Sequence, residues 1–203
     1  MPNPPPPLLF LPGAAGRGSF WDPVRFHISS IYSDAVDWPG LGGVPSRPDI
    51  HSYGDLAAMV IDRLSEPTVL VGQSMGGYVA ALIAVERPEL VSSLVLCVTS
   101  AGIDLAGHDA HDWRVGARKN RPSDPDWSYE WHPPIEDQLA ALDIPTLLLW
   151  ASHDRISPIT IGHRLAELIE KSELVIYDSD DHRVVQHNAA DVAARIMTLV
   201  DGY

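Results

Sequence analysis

The chain has 203 residues, 45% hydrophobic and 20% charged, a size and balance that suit one globular domain with its own core and exclude a disordered or fibrous chain. Fourteen lysines and arginines face 27 aspartates and glutamates for a formal net charge of −13, which repels phosphate backbones and anionic bilayers and sets the chain against nucleic acid and membrane as partners. A single cysteine cannot close an internal disulfide, the start Met1-Pro2-Asn3-Pro4-Pro5-Pro6-Pro7 lacks a signal-peptide pattern, and no apolar run reaches bilayer length, so the expectation is a soluble, cytoplasmic protein.

Short apolar runs alternate with amphipathic segments, which predicts βα units around a mostly parallel sheet. In chain order, a strand is expected at Leu8–Leu11 and a second at Ile31–Val36. Tyr53, Leu56, Val60 and Leu64 recur at helical spacing behind a Ser52 cap. A third strand, Thr68–Gly72, leads into an alanine-rich helix at Tyr78–Val85, and a fourth, Leu94–Val98, carries Cys97 as a small core residue. From Gly102 to about Ala141 no strand is evident, although this insertion holds Trp113, Trp127 and Trp131, three of the six tryptophans. Beyond it come a strand at Thr146–Trp150, a helix at Pro158–Ile169, a sixth strand at Glu173–Tyr177 and a last helix after Asn188, in which Val192, Ile196 and Leu199 recur at helical spacing.

The pentapeptide Gly72-Gln73-Ser74-Met75-Gly76 matches G-x-S-x-G between a strand and a helix. In that context the pattern describes a nucleophile elbow, a turn so sharp that its flanking positions must be small and its central hydroxyl projects at the helix N-terminus. The alternative is a helix-capping serine in a glycine-rich turn. Three further segments join it: Ala151-Ser152-His153-Asp154-Arg155-Ile156-Ser157-Pro158 after the fifth strand, Asp178-Ser179-Asp180-Asp181-His182 after the sixth, and Val36-Asp37-Trp38-Pro39-Gly40-Leu41-Gly42, which resembles a D-x-P-G-x-G turn.

Together and in this order, the four motifs resemble the α/β-hydrolase superfamily over nearly the whole chain. The resemblance implies an α/β-hydrolase fold: one domain over residues 1–203, a mostly parallel sheet of about six strands flanked by helices, and a reduced lid at about 102–141. It also implies a Ser-His-Asp triad in the chain order Ser74, Asp154, His182. A serine hydroxyl needs an imidazole to take its proton, and the imidazole needs a carboxylate to fix its tautomer. His187 is a rival base at the start of the last helix, and His153 is a neighbour of the acid. Asp178, Asp180 and Asp181 share the histidine's own loop, where reaching its distal nitrogen is awkward. The backbone N–H of Met75 is one expected oxyanion donor. The second comes from Leu11-Pro12-Gly13-Ala14-Ala15-Gly16, which resembles the family's His-Gly loop with Pro12 in place of the histidine, and Ala14 is the expected donor.

The reaction implied is hydrolysis of a small carboxylic ester or thioester through an acyl-enzyme, with neither cofactor nor metal. A lyase or C–C bond hydrolase using the same triad, and a non-catalytic ligand-binding protein on the same fold, stay open as alternatives. Trp113, Trp127 and Trp131 either wall an acyl pocket or anchor the lid. Asp104, His108, Asp109, His111 and Asp112 read as a solvated polar segment without a metal signature. Arg114, Arg118, Lys119 and Arg121 place four of the fourteen basic residues within eight positions. Three of them, Arg114, Arg118 and Arg121, share a face if that segment is helical. That face either balances Asp109 and Asp112 or holds an anionic group of the substrate.

Overall fold

The computed structural model describes residues 4–28 and 30–202, so Met1, Pro2 and Asn3 of the proline-rich start lie outside the described residues. Six strands form one sheet: β1 (Leu8–Leu11), β2 (Ser33–Ala35), β3 (Thr68–Gln73), β4 (Val91–Cys97), β5 (Thr146–Ala151) and β6 (Ser172–Tyr177). They stand in the order β2-β1-β3-β4-β5-β6, and every neighbouring pair is parallel. All residues of β1, β3 and β5 are buried. Successive strand residues point to opposite faces, so helices must cover both sides of the sheet, as an all-parallel sheet requires.

The helices are α1 (Asp22–Arg25), α2 (Tyr53–Ile61), α3 (Met75–Glu86), α4 (Arg114–Asn120), α5 (Glu136–Leu139), α6 (Ile159–Leu168), α7 (Val184–His187) and α8 (Ala189–Asp201). Ser52 caps α2 as expected, its hydroxyl accepting from the Asp55 N–H at 3.1 Å. Helix α8 buries Val192, Ala193, Ile196 and Val200 along one face and packs on α1, while α2 packs on α3. Cys97 is fully buried in β4, and burial pushes its thiol well above the usual range.

Some boundaries differ from the expected ones. The second strand is only Ser33–Ala35: it pairs with β1 alone at the sheet edge, and Tyr32 is exposed. The fourth begins at Val91, three residues before the apolar run. Helix α3 begins at Met75, immediately after the serine, because Gly76 and Gly77 are used there for close approach rather than as breakers.

The topology positions the site. From β1 the chain moves outward to β2; from β3 it moves the opposite way, through β4, β5 and β6. Between β1 and β3 lies a switch point, where loops leaving the strand ends diverge and open a crevice. Leu11 is in register with Gly72, so the segments that follow, Pro12 onward and Gln73-Ser74, leave side by side.

Candidate active site

Ser74 sits between β3 and α3 with φ 53° and ψ −119°, a left-handed conformation that costs a non-glycine residue about 1–3 kcal/mol. The surroundings enforce it. A Cβ on Gly72 would stand 2.5 Å from the Gly76 carbonyl oxygen, and one on Gly76 would collide with the carbonyls of Leu11 and Pro12. The Ser74 N–H donates to the Cys97 carbonyl at 2.9 Å, and the Thr99 hydroxyl donates to the Ser74 carbonyl at 2.6 Å. The backbone is thus bonded on both sides, and the Ser74 hydroxyl makes no hydrogen bond among the described residues.

Asp154 follows β5 and His182 follows β6, neighbouring parallel strands. The His182 Nδ1–H donates to Asp154 Oδ2 at 2.6 Å. The other carboxylate oxygen, Oδ1, accepts from the N–H groups of Ile156 and Ser157 at 2.8 and 3.2 Å. The Asp154 side chain is 1% exposed and that of His182 20%, so the carboxylate is locked while the imidazole keeps one edge open. His187 instead bonds Asp181 at 2.8 Å, and His153 lies 3.7 Å from Asp178 in solvent.

The loop after β1 is held carbonyl by carbonyl. The indole N–H of Trp21 donates to the Leu11 carbonyl at 3.1 Å, and that of Trp38 to the Pro12 carbonyl at 2.7 Å. Gly16 N–H bonds the Gly13 carbonyl at 3.0 Å. Asp37 accepts from the Gly18 N–H at 2.7 Å and from Arg17 at 3.1 Å, so the D-x-P-G-x-G segment braces this loop. Gln73, buried inside the pentapeptide, donates from Nε2 to the His182 carbonyl at 3.2 Å and ties the elbow to the histidine loop.

Two cavities meet here. One of about 460 Å³ lies toward Met75, Val98 and the 102–141 segment. The other, about 300 Å³, lies toward Gly13, Ala14 and Phe20. Ser74, Trp113, Ile156 and His182 line both.

A family model described as the alpha/beta hydrolase family matches residues 8–195. The chain belongs to the alpha/beta hydrolase family. Among the curated relatives of this hydrolase is the uncharacterised hydrolase YugF of Bacillus subtilis, 26% identical over 216 residues, 82% of this chain and 79% of that protein. Another is the pimeloyl-[acyl-carrier protein] methyl ester esterase of Pseudoalteromonas atlantica, 34% identical over 110 residues, 51% of this chain and 43% of that one. A lipase-esterase related protein from Clostridium acetobutylicum has the same fold, with a TM-score of 0.75 at 18% identity over 98% of this chain and 96% of that chain.

The 102–141 segment of this hydrolase sorts the expected aromatic and basic residues. Trp127 is buried and packs edge-on against Tyr53 of α2, with ring centroids 5.6 Å apart, which anchors the segment to the core. Trp113 and Trp131 line the larger cavity. The three guanidinium groups diverge. Arg114 lies 3.8 Å from the centroid of the Trp131 ring, faces the larger cavity and pairs with Asp112 at 3.4 Å. Arg118 pairs with Asp126 at 2.7 Å over the Tyr129 ring and lines neither cavity. Arg121, just past the helix end, faces the smaller cavity. One shared anion cradle is not formed. Asp104, His108, Asp109, His111 and Asp112 are not gathered as ligands, and among the described residues no cluster of three metal-ligating side chains occurs. No helix of the described residues is long and apolar enough to cross a membrane.

His132 was not singled out by any sequence pattern. Its ring stacks on Tyr78 at 4.0 Å and meets Tyr53 edge-on at 4.3 Å, it lines the larger cavity, and its buried Nδ1 has no partner among the described residues. Burial, with the Arg114 guanidinium adding to it, pushes the imidazole down to about 3. The folded state therefore holds this ring neutral while the unfolded chain protonates it below 6.5. Stability is complete above that value and falls as pH drops toward 3. His132→Phe removes the effect along with an unpartnered nitrogen. The variant is expected to melt no lower than wild type at pH 7, and the difference should widen in its favour at pH 5 by at most about 2 kcal/mol. A difference that stays constant between the two pH values, measured by thermal melts, would contradict this reading.

Proposed function

We propose that this hydrolase cleaves a small carboxylic ester or thioester through an acyl-enzyme on Ser74. The observation that carries the reading is that a serine with unbonded hydroxyl, held in a left-handed turn, faces the same cavities as a histidine whose Nδ1 is bonded to a buried carboxylate. With its proton on Nδ1, His182 offers a bare Nε2 to the Ser74 hydroxyl. The oxygen attacks the acyl carbon as its proton passes to Nε2, and Asp154 stabilises the imidazolium. Negative charge forms on the carbonyl oxygen, where the N–H groups of Met75, at the start of α3, and Ala14 receive it. The imidazolium then protonates the departing alcohol or thiol, and a water activated by the same nitrogen releases the acid. Ser74 and His182 line the same cavities, and bound substrate commonly brings such a pair to hydrogen-bond distance.

An ester is favoured over a C–C bond because a relative at 34% identity is named as a methyl ester esterase. Trp113, Trp131 and Arg114 line the larger space, which suits an acyl group of modest size. With an unpaired, buried Cys97 the chain suits a reducing cytoplasm. Stopped-flow reaction with a p-nitrophenyl ester series and matching thioesters tests the reading. The expected result is turnover with an initial burst of about one leaving group per chain. No turnover of any member of the panel would favour a binding protein.

A further inference from the structure

Four consecutive carbonyls, from the last residue of β1 into the loop after it, are held, and one is held differently from the rest. Those of Leu11, Pro12 and Gly13 are bonded from Trp21, Trp38 and Gly16. The carbonyl of Ala14 is bonded instead from the lid segment, by the guanidinium of Arg121, 107 residues away in sequence. We propose that Arg121 is a positioning residue for the oxyanion loop. Through the Ala14 carbonyl it keeps the Ala14 N–H aimed beside Ser74, so that seating the lid segment completes the oxyanion site.

Peptide planarity gives the reason. The plane joining Gly13 and Ala14 carries the Ala14 N–H opposite the Gly13 carbonyl, and the Gly16 bond fixes it from one side. The next plane, from Ala14 to Ala15, is fixed by Arg121. With both set, φ and ψ of Ala14 are determined; with only the first, exposed Ala15 lets the turn rotate and the N–H swing with it. Arg121 is itself braced. Its Nε lies 3.4 Å from Asp124, whose side chain is 6% exposed, and its own carbonyl accepts from the Tyr129 hydroxyl at 3.2 Å. The guanidinium also lines the cavity that holds Ser74 and His182, where a fixed positive charge favours a developing oxyanion.

The proposal rests on the serine-hydrolase reading, and the experiment separates the two. Arg121→Gln, Arg121→Lys and, as control, Lys119→Ala on the exposed side of α4 are assayed for kcat and KM on a neutral aryl ester. Each is also titrated with an alkylboronic acid, whose tetrahedral adduct on the serine mimics the oxyanion and reports transition-state binding. Because the N–H is misplaced rather than removed, Arg121→Gln should lower kcat by about 10-fold, less than the 10²–10³ for deleting a donor. KM should stay within about twofold and boronate affinity should fall by the same factor as kcat. Arg121→Lys, keeping the charge without the planar fork, should lie between, and Lys119→Ala should match wild type. Unchanged kcat and boronate affinity, a raised KM alone, or a lowered kcat with unchanged boronate affinity each overturns the positioning role. If Arg121→Gln does not fold, Asp124→Asn, which loosens the arginine, should show the same paired loss at smaller size; unchanged boronate affinity there overturns it equally. A wild type that neither turns over ester nor binds boronate sinks the serine-hydrolase reading, and this proposal with it.

Discussion

Ser74→Ala is expected to lower ester turnover by on the order of 10⁴-fold or more while leaving the fold intact. The substitution deletes the attacking oxygen and nothing else. Alanine keeps the Cβ that the turn already accommodates at φ 53°, and no hydrogen bond is lost with the hydroxyl among the described residues. The backbone bonds to Cys97 and from Thr99 do not involve the side chain. Comparison of kcat/KM and melting temperature with wild type checks both halves. A variant that keeps turnover within tenfold would remove Ser74 from the chemistry.

Asp154→Asn should cost on the order of 10⁴-fold in kcat for a different reason. Its oxygen can go on accepting from the Ile156 and Ser157 N–H groups, which leaves an NH2 group facing His182. Nδ1 must then accept rather than donate, the ring proton moves to Nε2, and the nitrogen facing Ser74 can no longer take a proton. Adding Ser74→Ala to this variant should cost little beyond the serine change alone, because the groups act as a unit. His187→Ala, whose imidazole bonds Asp181 at 2.8 Å, should leave turnover unchanged. Near-wild-type rates in Asp154→Asn, or a collapse in His187→Ala, would reassign the acid or the base.

The parallel sheet was legible because β1, β3, β4 and β5 are buried on both faces and read as apolar runs between glycine, proline and polar residues. Periodicity fails where burial is one-sided or borrowed. At the edge, Ile31 and Tyr32 extend the β-branched and aromatic run without being strand. In β4, Ser92 and Ser93 interrupt the apolar pattern even though Ser93 is fully buried. The start of α3 was hidden because Gly76 and Gly77 read as breakers, yet those glycines let the helix approach Leu11, Pro12 and Thr99. At the site, the motifs name the residues that chemistry constrains by type: Ser74 and His182, which line both cavities, and Asp154, buried behind them and bonded to His182. They say nothing of residues whose roles arise only from distant contacts. Gln73 occupies a free position of the pentapeptide, Trp21 and Trp38 act through indole N–H groups, and Arg121 acts through a backbone carbonyl in another loop. His132 has no motif at all, only the company of Tyr53 and Tyr78 in space.

The central claim is that Ser74 is an activated nucleophile, and the most direct measurement is mass spectrometry of the chain after reaction with a fluorophosphonate. Intact mass should show one adduct per chain, with fluoride lost and a phosphorus–oxygen bond formed, and peptide mapping should place it on Ser74. Ser74→Ala should give none, and Asp154→Asn should label far more slowly than wild type. An adduct on any other serine, or an unmodified chain under conditions that label a known serine hydrolase to completion, would contradict the account.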